Sequence, residues 1–177
     1  MIAGIIILQG LPSCKSNGNT SGQNVQFFDL KKYFNDESVR LTKLNPLINK
    51  TAARDKNSET KKLHIADWGT ELNVFSESDI NKPAWKTRYK TSNSEGIITY
   101  TAIDSSLKTQ YIIIKKQQDK VTLILVFNHT KTTLFGKVLY ETRENLSYVP
   151  DSIYRVQKRQ YFRTRGFTNY YIKGLFN

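Results

Sequence analysis

The chain has 177 residues, 38% of them hydrophobic and 24% charged, with a formal net charge of +12 and one cysteine. That supports one domain with a sizeable core and excludes both a disulfide framework and a multi-cysteine metal site. The charge is uneven: from Leu107 onward thirteen Lys/Arg face four Asp/Glu, a surplus of nine, against a surplus of three over residues 1–106.

Residues Ile5 to Leu11 read IIILQGL and run into Pro12, Ser13 and Cys14, after which KSNGNTSGQN has no apolar residue. The apolar run is too short to span a bilayer, which takes about 20 residues, and suits the h-region of a signal peptide. Met1 to Gly4 lack the basic residues of an n-region, so the start is read as truncated or misassigned. The segment resembles the lipobox of bacterial lipoproteins, where a small residue precedes the cysteine that is acylated; Pro12 departs from the commonest form. The resemblance implies a signal peptide over 1–13, a lipidated Cys14 with a flexible tether over 14–25, and a globular domain over 26–177. A buried N-terminal strand with a structural thiol, and a plain secretory cleavage, stay open beside it.

Phe27, Leu30, Phe34 and Leu41 fall near helical spacing, with Phe28, Val39 and Leu44 widening the stripe. They predict an amphipathic helix from Val25 to Lys43, halted by Asn45 and Pro46. Its polar face mixes acids with lysines, which favours packing on a sheet over lying on a membrane. Residues 47–65 read as a hairpin around Asp55 to Ser58. Ile65, Trp68, Leu72 and Phe75 predict a second short helix, with Trp68 a core anchor, ending near Ser76. Pro83 rules out helix through the loop that follows.

From Trp85 the period becomes two. The expected strands are Trp85 to Thr91, Gly96 to Ile103, Thr109 to Lys116, Lys120 to His129, Phe135 to Leu146, Ile153 to Thr164 and Phe167 to Leu175. Breaks this short require antiparallel pairing. Val121 to Phe127 (VTLILVF) is apolar on both alternating sets and predicts a central strand covered on both faces. The fold class is therefore α+β: N-terminal helices and a hairpin packed on a curved antiparallel sheet of six to seven strands, half-open and barrel-like.

In the sixth of these strands Arg155, Arg159, Tyr161, Arg163 and Arg165 share one alternating set. Four guanidiniums at successive spacings of about 13, 13 and 7 Å would repel one another unless carboxylates or an anion sit across them. Glu141 and Glu144 in the preceding strand are candidate neutralisers. The set is either a solvated face with weak ion pairs or a binding platform for an anionic polymer or headgroup, with Tyr170 and Tyr171 nearby. Basic strands with aromatics also suit nucleic acid, but no RNP-like motif or phosphate-cradling glycine loop appears. If Cys14 is lipidated the domain lies outside the cytoplasm, which disfavours that partner.

Catalysis finds little support. His64 and His129 are isolated, Ser76, Ser78 and Asp79 carry no nucleophile motif, and Asp67 and Glu71 are as well explained by capping and solvation. No enzyme activity, metal or cofactor is expected.

The segments FFDLKKYF, HIADWGTELNVFSESDINKPAW, YIIIKKQ, LILVFNHTKTTL and YRVQKRQ together resemble a family of small uncharacterised lipoproteins of Bacteroidetes. The resemblance implies an outer-membrane-anchored envelope lipoprotein and supplies no catalytic residues. In outline, an N-terminal helix before a curved sheet is also similar to periplasmic carriers of lipoproteins or lipids. Three functions follow as expectations: a binding module for an acyl chain or an anionic glycan, lipid or envelope protein; a structural or assembly factor; and an enzyme working through Asp67, Glu71 or His129.

Overall fold

The computed structural model describes residues 25–177. Cys14, the apolar run before it and the polar stretch to Asn24 lie outside the described residues. Helix α1 spans Leu30–Leu44, starting after Asp29, whose side chain accepts from the Lys32 amide at 2.7 Å. It begins later than the periodicity predicts because Phe27 and Phe28 are held outside it, their amides donating to Asn81 Oδ1 and Tyr100 Oη at 3.0 Å each. Asn45 closes it in the left-handed conformation at φ 47°, its N–H on the Leu41 carbonyl. Helix α2 spans Trp68–Ser76, capped by Asp67, which accepts from the Thr70 amide and hydroxyl at 3.0 and 2.7 Å. Neither helix is long and apolar enough to cross a membrane.

The strands are β1 (Leu47–Arg54), β2 (Asn57–His64), β3 (Tyr89–Ser94), β4 (Ile97–Ala102), β5 (Thr109–Gln117), β6 (Lys120–Leu134), β7 (Lys137–Val149), β8 (Ile153–Phe162) and β9 (Gly166–Phe176). They form one open antiparallel sheet in the order β2-β1-β9-β8-β7-β6-β5-β4-β3. The α+β class is as expected, but the strands number nine instead of six to seven. The hairpin β1–β2, expected on the sheet's face, joins its edge: β1 pairs with β9 from Ile48↔Phe176 to Arg54↔Tyr170. Without β1, β9 would present a row of unpaired amides and carbonyls.

Three boundaries moved for local reasons. Pro83–Trp85 forms a turn of 3-10 helix, so β3 begins at Tyr89. The break expected at Thr130–Thr132 does not occur, because these β-formers keep pairing with β7; the turn comes at Phe135–Gly136, with φ 49° and 72°. β8 stops at Phe162, and Arg163 to Arg165 form the turn before Gly166 at φ 75°.

Both helices lie on one sheet face, over Ile48, Ile112, Ile114, Ile124, Val126, Leu146, Tyr148 and Tyr154. Phe34 of α1 stacks on Phe75 of α2 at 4.7 Å between centroids, and Trp68 stacks on Phe176 at 5.7 Å. Val39 and Leu44, expected on the apolar stripe, are exposed; Glu37 takes the fourth buried place beside Leu30, Phe34 and Leu41. In β6, Ile124 and Val126 are buried under the helices while Leu123, Leu125 and Phe127 on the other face are half-buried, so only one face is covered.

Two glutamates tie the helices to the sheet. Tyr148 and Tyr154 are direct cross-strand partners, each fully buried. The Tyr148 hydroxyl donates to Glu37 of α1, and the Tyr154 hydroxyl donates to Glu71 of α2 at 2.7 Å. Burial first, and the adjacent carboxylate second, push both phenols well above their ordinary range, so they stay donors. Arg40 forks onto Glu37 at 2.7 and 2.8 Å and also reaches Asp151 at 2.6 Å, while Lys50 meets Glu71 at 2.6 Å. Neither glutamate is therefore buried alone.

The Tyr154 ring lies over Gly174, where a Cβ would stand 2.0 Å from its Cε1. Gly174→Ala must displace that ring and loosen the bond to Glu71. We expect a loss of about 3 kcal/mol in denaturant unfolding, in the range of overpacked cores; an unfolding midpoint equal to wild type would show that the ring moves without cost.

Candidate functional site

The register defines a four-stranded projection. Pairing of β5 with β6 stops at Thr109↔Asn128, and pairing of β1 with β9 stops at Arg54↔Tyr170. Beyond those points β6 to β9 continue without strand neighbours on either side to tips at Phe135–Gly136 and Arg163–Arg165. The six residues His129 to Leu134 carry β6 about 20 Å further, at roughly 3.4 Å per residue. Residues 129–143 and 159–169 hold six Lys/Arg and one Asp/Glu, so this projection concentrates the basic surplus of the C-terminal half.

On its helix-free face, alternation and register bring together side chains that lie far apart in sequence. Arg143 stands opposite Arg159, and Tyr161 opposite both Glu141 and Phe167. Two guanidiniums directly across strands repel unless compensated. Glu141 compensates one: its Oε1 accepts from Arg143 Nε at 2.9 Å and lies 3.0 Å from His129 Nε2. Partial burial would raise the Glu141 carboxyl, but the bonds from His129 and Arg143 outweigh it and hold it below the ordinary range.

Arg159 has no carboxylate within ion-pair reach among the described residues; its guanidinium lies 4.1 Å over the Phe167 ring, and Tyr161 packs on the same ring at 4.9 Å. Glu141, Arg143, Arg159, Tyr161 and Phe167 line a cavity of about 100 Å³. Toward β5 the face continues as an aromatic row, His129 stacked on Phe127 at 6.5 Å and Phe127 on Tyr111 at 5.3 Å. The arrangement offers one uncompensated cation, aromatic walls and room for a single small anionic group.

The expected ladder is divided by this geometry. Arg155, Arg159 and Tyr161 share the helix-free face of β8, but only Arg159 and Tyr161 line the cavity. Arg163 and Arg165 lie past the strand end, in the tip. Of the two neutralisers expected, Glu141 serves Arg143, while Glu144, three residues on, points to the helix side, buried against Lys158 at 3.1 Å and Asn128 at 3.2 Å. Tyr170 and Tyr171 face opposite ways for the same alternation, Tyr170 lying 5.6 Å from the Arg54 guanidinium.

The residues considered for catalysis are engaged in the fold. Asp67 caps α2, Glu71 holds Tyr154 and Lys50, and Asp79 accepts from the Leu30 and Asn81 amides at 3.1 and 2.9 Å. His64 Nδ1 meets the Asn45 carbonyl at 2.8 Å. His129, expected near a strand end, lies inside β6 and in the cluster. Phe167, Arg143 and the pairing of His129 with Glu141 escaped the sequence reading; their only signal was that each occupies the outward set of its strand.

A second, open hollow of about 450 Å³ lies at the junction of β1, β2 and β9, lined by Ala52, Ala53, Arg54, Tyr170, Tyr171 and Ile172 among others.

Because the Glu141 pKa is depressed on folding, its stabilising effect is present above the ordinary value of 4.5 and is lost as pH falls through the lower folded value. The stability gap between wild type and Glu141→Gln, followed by thermal unfolding from neutral to strongly acid pH, should close on that limb. A gap that stays constant with pH would show that the carboxylate charge does not matter.

Comparison of the chain with protein-family models, with curated proteins and with solved structures finds no match in any of the three.

Proposed function

We propose that the protein is a non-catalytic lipoprotein of the bacterial outer membrane, anchored through Cys14, that binds anionic groups of an envelope glycan on the helix-free face of its sheet. The observation that carries the reading is Arg159: a guanidinium stacked on Phe167 beside a small cavity, with the one nearby carboxylate, Glu141, already taken by Arg143 and His129. A guanidinium presents a planar fork to a carboxylate or sulfate, and an aromatic wall suits the apolar face of a sugar ring. Neutral sugars would gain only the wall. A position outside the cytoplasm, argued from the lipobox resemblance, disfavours nucleic acid.

A second reading, an acyl-chain carrier, keeps one supporting feature in the hollow at β1, β2 and β9. On the helix side, the space such a carrier would need is occupied by Phe34, Trp68, Leu72 and Phe75. The hollow is therefore where an acyl ligand would have to sit.

Polygalacturonate is a suitable probe, with dextran as the neutral control. Titration calorimetry should give binding to the acidic polymer alone, weakened by salt. Arg159→Gln should reduce affinity about tenfold, as expected for a charged hydrogen-bonding partner worth roughly 1.4 kcal/mol. Equal affinity of wild type and variant, or equal binding of both polymers, would overturn the glycan reading.

The anchor has its own test. In a lipoprotein-processing bacterium, labelled fatty acid should be incorporated into the wild-type chain and not into Cys14→Ser, which should leave the membrane fraction. Labelling that persists in the variant would refute anchorage at Cys14.

A further inference from the structure

The two tips of the projection carry a different chemistry from the cavity behind them. Leu134 is 52% exposed and Phe135 93% exposed, and Phe162 and Phe167 flank the neighbouring turn. These are four of the eleven exposed large apolar side chains among the described residues, gathered at one end of the sheet. Between and beside them stand Lys131, Lys137, Arg163 and Arg165, and residues 130–140 and 160–169 contain no acid. A backbone bond from the Arg163 amide to the Leu139 carbonyl at 3.0 Å ties the second tip to the first hairpin.

The turn itself is costly for what it holds. A two-residue turn with both φ positive is ordinarily Asn-Gly or Asp-Gly, because short polar side chains tolerate the left-handed region. Here Phe135 occupies it at φ 49°, before Gly136 at φ 72°. A bulky side chain in that region is strained, and almost all of this ring faces solvent, so packing within the described protein does not offset the strain.

We propose that these tips form a membrane-docking wedge that inserts Leu134 and Phe135 into the interface of a bilayer bearing anionic lipids, with Lys131, Lys137, Arg163 and Arg165 on the headgroup phosphates. A convex apolar tip suits a deformable headgroup layer better than it suits a preformed protein pocket. Lys137, Arg163 and Arg165 have no carboxylate across from them, and Lys131 stands opposite Glu141, which His129 and Arg143 already hold; together they match the negative surface of such a leaflet. The docking is independent of the acyl anchor and of glycan binding. It would hold the projection against the membrane and aim the Arg159 face along its surface.

The test uses the full chain carrying Cys14→Ser, so that acylation does not contribute, with phosphatidylcholine vesicles with or without phosphatidylglycerol. Sedimentation should show binding only where phosphatidylglycerol is present. In the same background Leu134→Ser with Phe135→Ser should weaken it about tenfold, and Arg163→Gln with Arg165→Gln by a similar factor together with a reduced salt sensitivity. All these positions are exposed, so the fold is kept, and unchanged circular dichroism checks it. Phe135→Trp should add an indole emission that brominated lipid quenches, placing the side chain in the bilayer. Tip variants that sediment like the parent, or an added emission indifferent to brominated lipid, would overturn the wedge. Failure of the parent chain itself to sediment with phosphatidylglycerol vesicles would overturn it too.

Discussion

The structure depends on two tyrosines placed side by side on neighbouring strands. Tyr148 and Tyr154 fill the centre of the covered sheet face, and each passes its hydroxyl up to a glutamate, one from each helix. A buried phenol and a buried carboxylate are each costly alone, and together they satisfy one another. The charge left on each glutamate is met by Arg40 or Lys50, which reach it from the partly exposed rim. Helix position is thus fixed by directional bonds as well as by the less specific burial of Leu30, Phe34, Trp68 and Phe75. Gly174 belongs to the same unit, because only a residue without Cβ leaves room for the Tyr154 ring.

What the helices do not cover follows from where those bonds hold them. They sit over the part of the sheet where all the strands overlap, and β6 to β9 extend well past it. Strand pairs without a helix above them must be stabilised by cross-strand contacts and by their side chains on both faces. That is where the aromatic contacts of Tyr140 with Phe162 and Tyr161 with Phe167 occur. It is also where the excess of cations lies, since a surface with no core beneath it can hold guanidiniums solvated. One projection therefore presents a cavity with an uncompensated arginine on its face and apolar, basic tips at its end.

Much of this was legible in the sequence. The spacing of Leu30, Phe34 and Leu41 and of Trp68, Leu72 and Phe75 marked both helices, and period-two alternation with short breaks marked an antiparallel sheet. Glu37 and Glu71 were less legible, although each occupies a helical repeat position among buried apolar residues; the tyrosines that complete them are 111 and 83 residues away. The arginine set failed as a unit for a local reason. Alternation says which residues share a face only while the strand lasts, and Gly166 allows a turn that removes Arg163 and Arg165 from it. The extent of β6 was hidden because a Phe-Gly turn does not resemble the usual polar turn sequences, while Thr130 to Thr133 do look like a loop.

By itself the sequence determined the two α-helices and the strand class of the sheet elements, the antiparallel order of the consecutive strands and the concentration of positive charge in the C-terminal half. These depend on contacts between residues two to four apart, or on composition, which any reader of the chain can see. Only the tertiary structure decided that the hairpin extends the sheet, that Glu141 and Glu144 serve opposite faces, and that Arg159 meets Phe167 while Arg163 and Arg165 join Phe135 at the tips. Those outcomes depend on strand register and turn position, where a shift of one residue moves every side chain to the other face.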